Sequence, residues 1–295
     1  MRHYPCALRK LKYLALTAAA SALATAGLTV GTIRPAHAEF QIQEADVEKG
    51  AVQLSYRGAV HWGVPQATDD NENANDLVQS HEFETQYGLT NWWLFSFTLG
   101  TDQPRGEDFN VSSVEFEAQY QFVKRKGDGI ALAIQGGYEK AINHGGEQNA
   151  DEIGFGPIVE LASGKLLITL NPLFTDQVGP NRDTDSLGFG YGWRAEYDFA
   201  KHWGVGVEVF GEIEDLANAG SFNDQQHSLG PTLFFKPGGD DDDEEVGDVG
   251  ESDDNGKNNN PEPAKMEFSM NVGFQFGLTD VTSDSALKVQ GSLAF

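Results

Sequence analysis

Cysteine is all but missing from this chain: 295 residues hold one, Cys6. It lies before the apolar run of an N-terminal leader, so it is not placed as the acylated cysteine of a lipoprotein. Once the leader is removed no thiol remains, which excludes a disulfide framework and the metal and nucleophile chemistries that need thiolate. Bases are scarce, 20 Lys and Arg against 45 Asp and Glu. Five of those bases and none of the acids fall in the first 38 residues, so the remainder carries 15 bases against 45 acids, a formal charge of −30. Nucleic acid is not a partner such a surface suits. Long apolar runs are also lacking, except from Tyr13 to Val30. Arg2, Arg9, Lys10 and Lys12 precede that run and Ala36-His37-Ala38 follows it, the layout of a secretory signal peptide over residues 1–38, with the mature chain starting near Glu39. A retained helical anchor is the alternative, disfavoured by the small-residue cleavage site.

What the chain has instead is alternation. Val114, Phe116, Ala118, Tyr120 and Phe122 interleave with Glu115, Glu117, Gln119 and Gln121. A helix would scatter these apolar residues around its axis, whereas a strand puts them all on one face. Twelve segments read this way, the first from Val52 to Trp62 and the last carrying Leu287, Val289, Leu293 and Phe295. Such a series is the signature of an antiparallel transmembrane β-barrel, whose strands satisfy every backbone group in lipid by pairing with their neighbours. The fold class expected is therefore all-β, a barrel of about twelve strands preceded by a cleaved signal peptide, over residues 39–295.

Connections alternate in length. The links 64–76, 101–110, 141–151, 176–184, 214–225 and 278–285 are long and rich in Asp, Asn and Gly, while those near 90, 126, 164 and 201 are short. Short turns belong on the periplasmic side and long loops outside. Residues 237–265 break this rule and carry Asp240 to Asp243, Glu244 and Glu245, a composition expected to remain a disordered acidic periplasmic loop. Pro157, Pro172 and Pro231 each remove a ladder donor and are expected to mark bulges near strand ends.

The segments Gln225-Gln226-His227-Ser228-Leu229-Gly230-Pro231 and Phe276-Gly277-Leu278-Thr279-Asp280, with Phe295 closing an alternating last strand, make the chain similar to Gram-negative outer-membrane barrels. It loosely resembles the group that includes the transporter barrels of the MetA-pathway phenol-degradation family. The resemblance implies an outer-membrane location, a pore or transporter-like barrel, and a role for Phe295 as the signal read by the barrel-assembly machinery. It carries no substrate and no site residue.

Chemistry is thinly represented. His227 and Ser228 are sequence neighbours and point to opposite faces of a strand, so they form no dyad, and no G-x-S-x-G segment exists. No catalytic residues and no cofactor are expected. Acids such as Asp69, Asp70, Glu72 and Asp76, or the run at 240–254, have the hard oxygens for loose divalent-cation binding, but neither has EF-hand spacing and a solvated loop is the simpler reading. Tyr87, Trp92, Trp93, Tyr120, Phe122, Tyr197, Phe199 and Trp203 sit at strand ends beside short turns, where an interfacial aromatic girdle belongs.

Parity turns Glu82, Glu84, Glu115, Glu117, Glu139, Glu152, Glu160, Glu196, Asp198, Glu208, Glu212 and Glu267 inward, against Arg57, Arg194 and Lys288. Three bases cannot neutralise so many acids, so the lumen is expected to be hydrated and electronegative. The function this supports is a passive channel or transporter in the lipid bilayer for small cationic or polar solutes, with the inward acids setting selectivity. A non-conducting structural or adhesive barrel is the alternative, and a lipid-modifying outer-membrane enzyme a lesser one.

Overall fold

The computed structural model describes residues 40–65, 76–142, 149–179, 182, 187–237 and 266–295. The signal peptide, the acids Asp69, Asp70 and Glu72, and almost all of the acidic loop lie outside the described residues.

Twelve strands form one closed antiparallel barrel, each paired with its neighbours in sequence and the last with the first. They are β1 (Val52–Trp62), β2 (Leu77–Gly88), β3 (Trp93–Pro104), β4 (Asn110–Val123), β5 (Gly129–Ala141), β6 (Asp151–Ser163), β7 (Leu166–Val178), β8 (Leu187–Ala200), β9 (Trp203–Ile213), β10 (Gln226–Phe235), β11 (Glu267–Gly277) and β12 (Ser285–Ala294). Closure removes both sheet edges, the condition for surviving in a bilayer. The terminal Phe295 completes the seam, its N–H donating to the Val52 carbonyl at 3.0 Å and its carbonyl accepting from the Val52 N–H at 2.9 Å.

Alternation has its expected consequence. Phe83, Phe95, Phe97, Phe116, Ile134, Phe155, Trp193, Val205, Val207 and Leu233 are exposed on the outer wall, forming the apolar band a bilayer requires. At the short-turn end Trp93 packs on Tyr120 with centroids 4.8 Å apart, and Trp203 on Phe235 at 4.7 Å. Trp93, Tyr120 and Trp203 belong to the aromatic girdle read from the sequence, and Phe235 joins them. Gly164, at φ +58°, supplies the left-handed residue of the tight turn joining β6 to β7.

Two expectations are corrected. The three prolines do not sit at bulges: Ile134 stays opposite Pro157, Pro172 opposite Tyr191, and Pro231 opposite Val207, with no register shift at any of them. Their missing donors instead open gaps in the ladder on one side, between Phe155 and Val159 on β6 and between Leu229 and Thr232 on β10. The irregularities fall elsewhere, at Leu77/Gln79, Gly100/Thr101, Gln121/Val123 and Asp198/Ala200. The expected loop 101–110 is also shorter, because β3 runs on to Pro104 and β4 starts at Asn110. Thr101, Asp102 and Gln103 lie past the apolar stretch ending at Leu99, so the ladder continues there without an alternation to announce it.

Candidate functional site: the lumen and its inner segment

The barrel is not empty. Residues 40–51 precede β1, and the sequence assigned them no role; they run through the lumen, from Phe40 down to Gly50 at the short-turn end. Gly50 donates to the Gly88 carbonyl at 2.7 Å and Gly88 donates to that of Ala51 at 3.0 Å. Side chains of the wall satisfy the segment's backbone as a neighbouring strand would. Asn171 accepts from the Gln43 N–H (2.5 Å) and donates to its carbonyl (3.1 Å). Glu160 accepts from the Ala45 N–H (2.8 Å) and Gln121 from that of Val47 (3.2 Å). Gln119 donates to the carbonyls of Glu44 and Ala45, Lys124 to that of Val47, and Gln290 to that of Phe40.

Packing matches this bonding. Ala45 is fully buried against Ala131 and Ala133 of β5 and Ile158 of β6. On β8, Gly192 permits a close approach: a Cβ there would lie 2.8 Å from the Gln41 carbonyl oxygen, and on β2 Gly88 lies closer still to the Glu48 carbonyl. Small inward residues thus form the groove that seats the segment. Those glycines and alanines were visible as inward by parity, and they were the available signal that something inside must be accommodated.

Charge in the lumen is segregated by height. Toward the middle and the short-turn end, acids meet bases. Arg57 bridges Glu82 and Glu84, each at 2.7 Å. Arg194 binds Glu44 of the segment at 2.8 Å and lies 3.6 Å from Glu196, which also takes Lys236 at 2.5 Å. Glu208 is paired with the fully buried Lys288 and accepts from Thr232 at 2.6 Å. Glu160 has Arg125 at 3.5 Å. Counting Arg57, Arg194 and Lys288 alone therefore understated the bases, because Arg125 and Lys236 reach in from the strand ends and the turns. The expectation of acids outnumbering their partners throughout the lumen is corrected for this half.

The upper half differs. Glu115, Glu139 and Glu152 occupy matched positions on β4, β5 and β6, Glu115 opposite Glu139 and Glu139 opposite Glu152. With Glu117, one step lower on β4, they line a cavity of about 240 Å³ in which no lysine or arginine takes part among the described residues. Glu117 accepts from Ser96 at 3.1 Å and from Gln43 of the segment at 3.4 Å. Phe40, stacked on His61 and edge-on to Phe210, contributes the opposite lining. Glu212 joins Asp76 and Glu214 in the lining, while Asp198 and Glu267 are exposed and take no part in it.

The remaining strand histidines lie on the outer wall. Tyr56 Oη is 2.7 Å from His81 Nδ1 and Tyr191 Oη 2.9 Å from His227 Nδ1, so each imidazole is satisfied beside the apolar band. His227 and Ser228 fall on opposite faces as expected, so no Ser–His dyad forms there.

No family model matches the chain. No curated protein matches it either. Its likeness to the MetA-pathway phenol-degradation barrels therefore stands on the short segments alone. Among solved structures it is similar to the COG4313 outer membrane channel from Pseudomonas putida F1, with TM-score 0.52 and 9% identity over 88% of this chain and 99% of that one. The KdgM porin, in complex with disordered oligogalacturonate, and the NanC porin each give a TM-score of 0.45 and 10% identity over 82% of this chain and 98% of theirs. At such identity the likeness to the Pseudomonas putida channel speaks to architecture, and with the closed twelve-stranded barrel it establishes the fold as that of a Gram-negative outer-membrane β-barrel.

Proposed function

We propose that this barrel is a passive outer-membrane channel that admits small cationic or polar solutes from its long-loop end. The observation that carries the reading is the acidic cavity: Glu115, Glu117, Glu139 and Glu152 line it together, with no lysine or arginine in the lining among the described residues. Carboxylates clustered in a narrow lumen concentrate cations and repel anions, and at about 0.15 M salt the screening length of roughly 8 Å spans a small pore. No catalytic residue and no cofactor enter this reading.

The inner segment stands below the cavity, across the route to the short-turn end. Its hydrogen bonds to Asn171, Glu160, Gln121 and Gln119 also give the second reading, a barrel filled by its own chain that conducts nothing, its one specific support. Reconstitution of the refolded barrel in planar bilayers separates the two. A cation-selective conductance supports the channel, and a folded, inserted, silent barrel supports the structural reading.

A further inference from the structure

We propose that the upper cavity is a binding site for an organic ammonium ion, a primary amine carried on a short apolar body, with a linear aliphatic diamine as its simplest representative. The proposal rests on the channel reading above and names the class of solute.

The cavity wall formed by β4, β5 and β6 offers acceptors. Glu115 and Glu117 lean over Gly137, where a Cβ would stand 2.9 Å from Glu117 Cγ and 3.0 Å from Glu115 Oε1, so the carboxylates lie against bare backbone. Glu139 faces the lumen one step above Gly137 on β5, and Gln135 one step below. Gln135 is the independent observation. It lines the cavity, is 8% exposed, and its Oε1 has no hydrogen-bond partner. A buried amide oxygen left unbonded costs roughly 1–3 kcal/mol by general experience, so a site that supplies a donor to it gains on binding. Carboxylates and an amide oxygen together recognise a group that only donates and is positive, which describes an ammonium.

The same cavity also has an apolar side. Phe40 meets Phe210 edge-on at 5.1 Å and stacks on His61 at 5.8 Å, and Leu173, also in the lining, lies over Gly154 of β6. A bare metal ion has no use for such a surface, and no group of three or more acids or histidines converges to hold one among the described residues. An alkyl chain does, because it leaves water against the rings while its charged end reaches the carboxylates. A volume of about 240 Å³ limits the occupant to a small molecule.

The test is calorimetric titration of the refolded mature barrel with 1,4-diaminobutane, butylamine, sodium and hexanoate, with single-channel recording on the same preparations. Saturable binding of the diamine, weaker binding of butylamine and none of hexanoate are expected. Glu115→Gln with Glu139→Gln, and separately Gln135→Leu, weaken diamine binding by about tenfold or more in barrels that retain heat-modifiable mobility. Asp215→Asn removes one acid outside the cavity and leaves binding unchanged. Equal weakening by Asp215→Asn would show that bulk charge is responsible and overturn the site. A cation-selective conductance with no saturable diamine binding overturns this inference and leaves the channel standing; saturable diamine binding by a silent barrel does the reverse.

Discussion

Glu44, on the segment inside the barrel, holds Arg194 of the wall at 2.8 Å, although the β8–β9 register places Arg194 opposite Glu208. Glu208 is already engaged by Lys288, so the arginine is left to anchor the segment. The Glu44 side chain is 58% exposed to the lumen, so its ion pair is worth about 0.5–1 kcal/mol after solvent screening. Glu44→Gln should therefore raise the undocked fraction of the segment by roughly twofold to fivefold. Open-state dwell times in bilayer recordings measure this directly, and unchanged dwell times would mean the segment does not limit passage.

Acid should act through the same contact. Seclusion in the barrel pushes the Glu44 pKa up, but the charges of Arg194 and Lys236 and the Arg194 hydrogen bond pull it further down, so it ends below the usual glutamate value. A depressed carboxyl contributes docking free energy above its unfolded pKa of about 4.3 and loses it as pH falls through the folded value. Open-state occupancy should hold steady from neutral pH to about pH 5 and rise below about pH 4. Glu160 and Asp46 also hold the segment, so the comparison is with Glu44→Gln, in which the acid response is smaller.

Lys288 and Glu208 form a buried pair, 1% and 0% exposed at the side chain. Removing one charge strands the other, which commonly costs about 3–5 kcal/mol. Lys288→Met alone should lower the unfolding midpoint in urea far more than Lys288→Met combined with Glu208→Leu. Equal losses would show that the pair is solvated after all.

On the outer wall, Gly211 lies beneath Tyr191 and His227: a Cβ there would come within 2.4 Å of Tyr191 Cζ and 2.5 Å of His227 Nδ1. Gly211→Ala is expected to cost about 1–3 kcal/mol as overpacking, read as a lower temperature for the heat-modifiable shift. No change would place the ring stack elsewhere.

The barrel was legible in the sequence because lipid enforces a simple rule on each strand: Phe116 and Tyr120 must face out and Glu115 and Glu117 in. The Arg194–Glu208 register is set by the irregularity at Asp198/Ala200, since the turn at 201–202 alone would bring Arg194 opposite Val209. What escaped was whatever lipid does not police. Residues 40–51 carry Phe40, Ile42, Ala45 and Val47 without a sustained alternation, and their position depends on Asn171, Glu160 and Gln121, which read only as polar wall. The prolines escaped for a related reason. A lost donor at Pro157 or Pro231 can be absorbed as a local gap while the flanking pairs hold register, so no bulge is needed. Lumen charge was miscounted because Lys236 reaches Glu196 from beyond the strand end, where parity does not apply.

The central claim is that the upper acids, and not the neutralised ones below them, give the lumen its preference. Glu84 belongs to the Arg57 pair, so it is the internal comparison. The direct measurement is the reversal potential of the refolded barrel in a tenfold potassium chloride gradient, for the parent, for Glu115→Gln with Glu139→Gln and Glu152→Gln, and for Glu84→Gln. The parent should show a cation-selective potential that weakens toward 1 M salt, where the screening length falls to about 3 Å. The triple variant should move most of the way to zero and Glu84→Gln much less. Anion preference in the parent, or a potential indifferent to the three upper substitutions, would contradict the account.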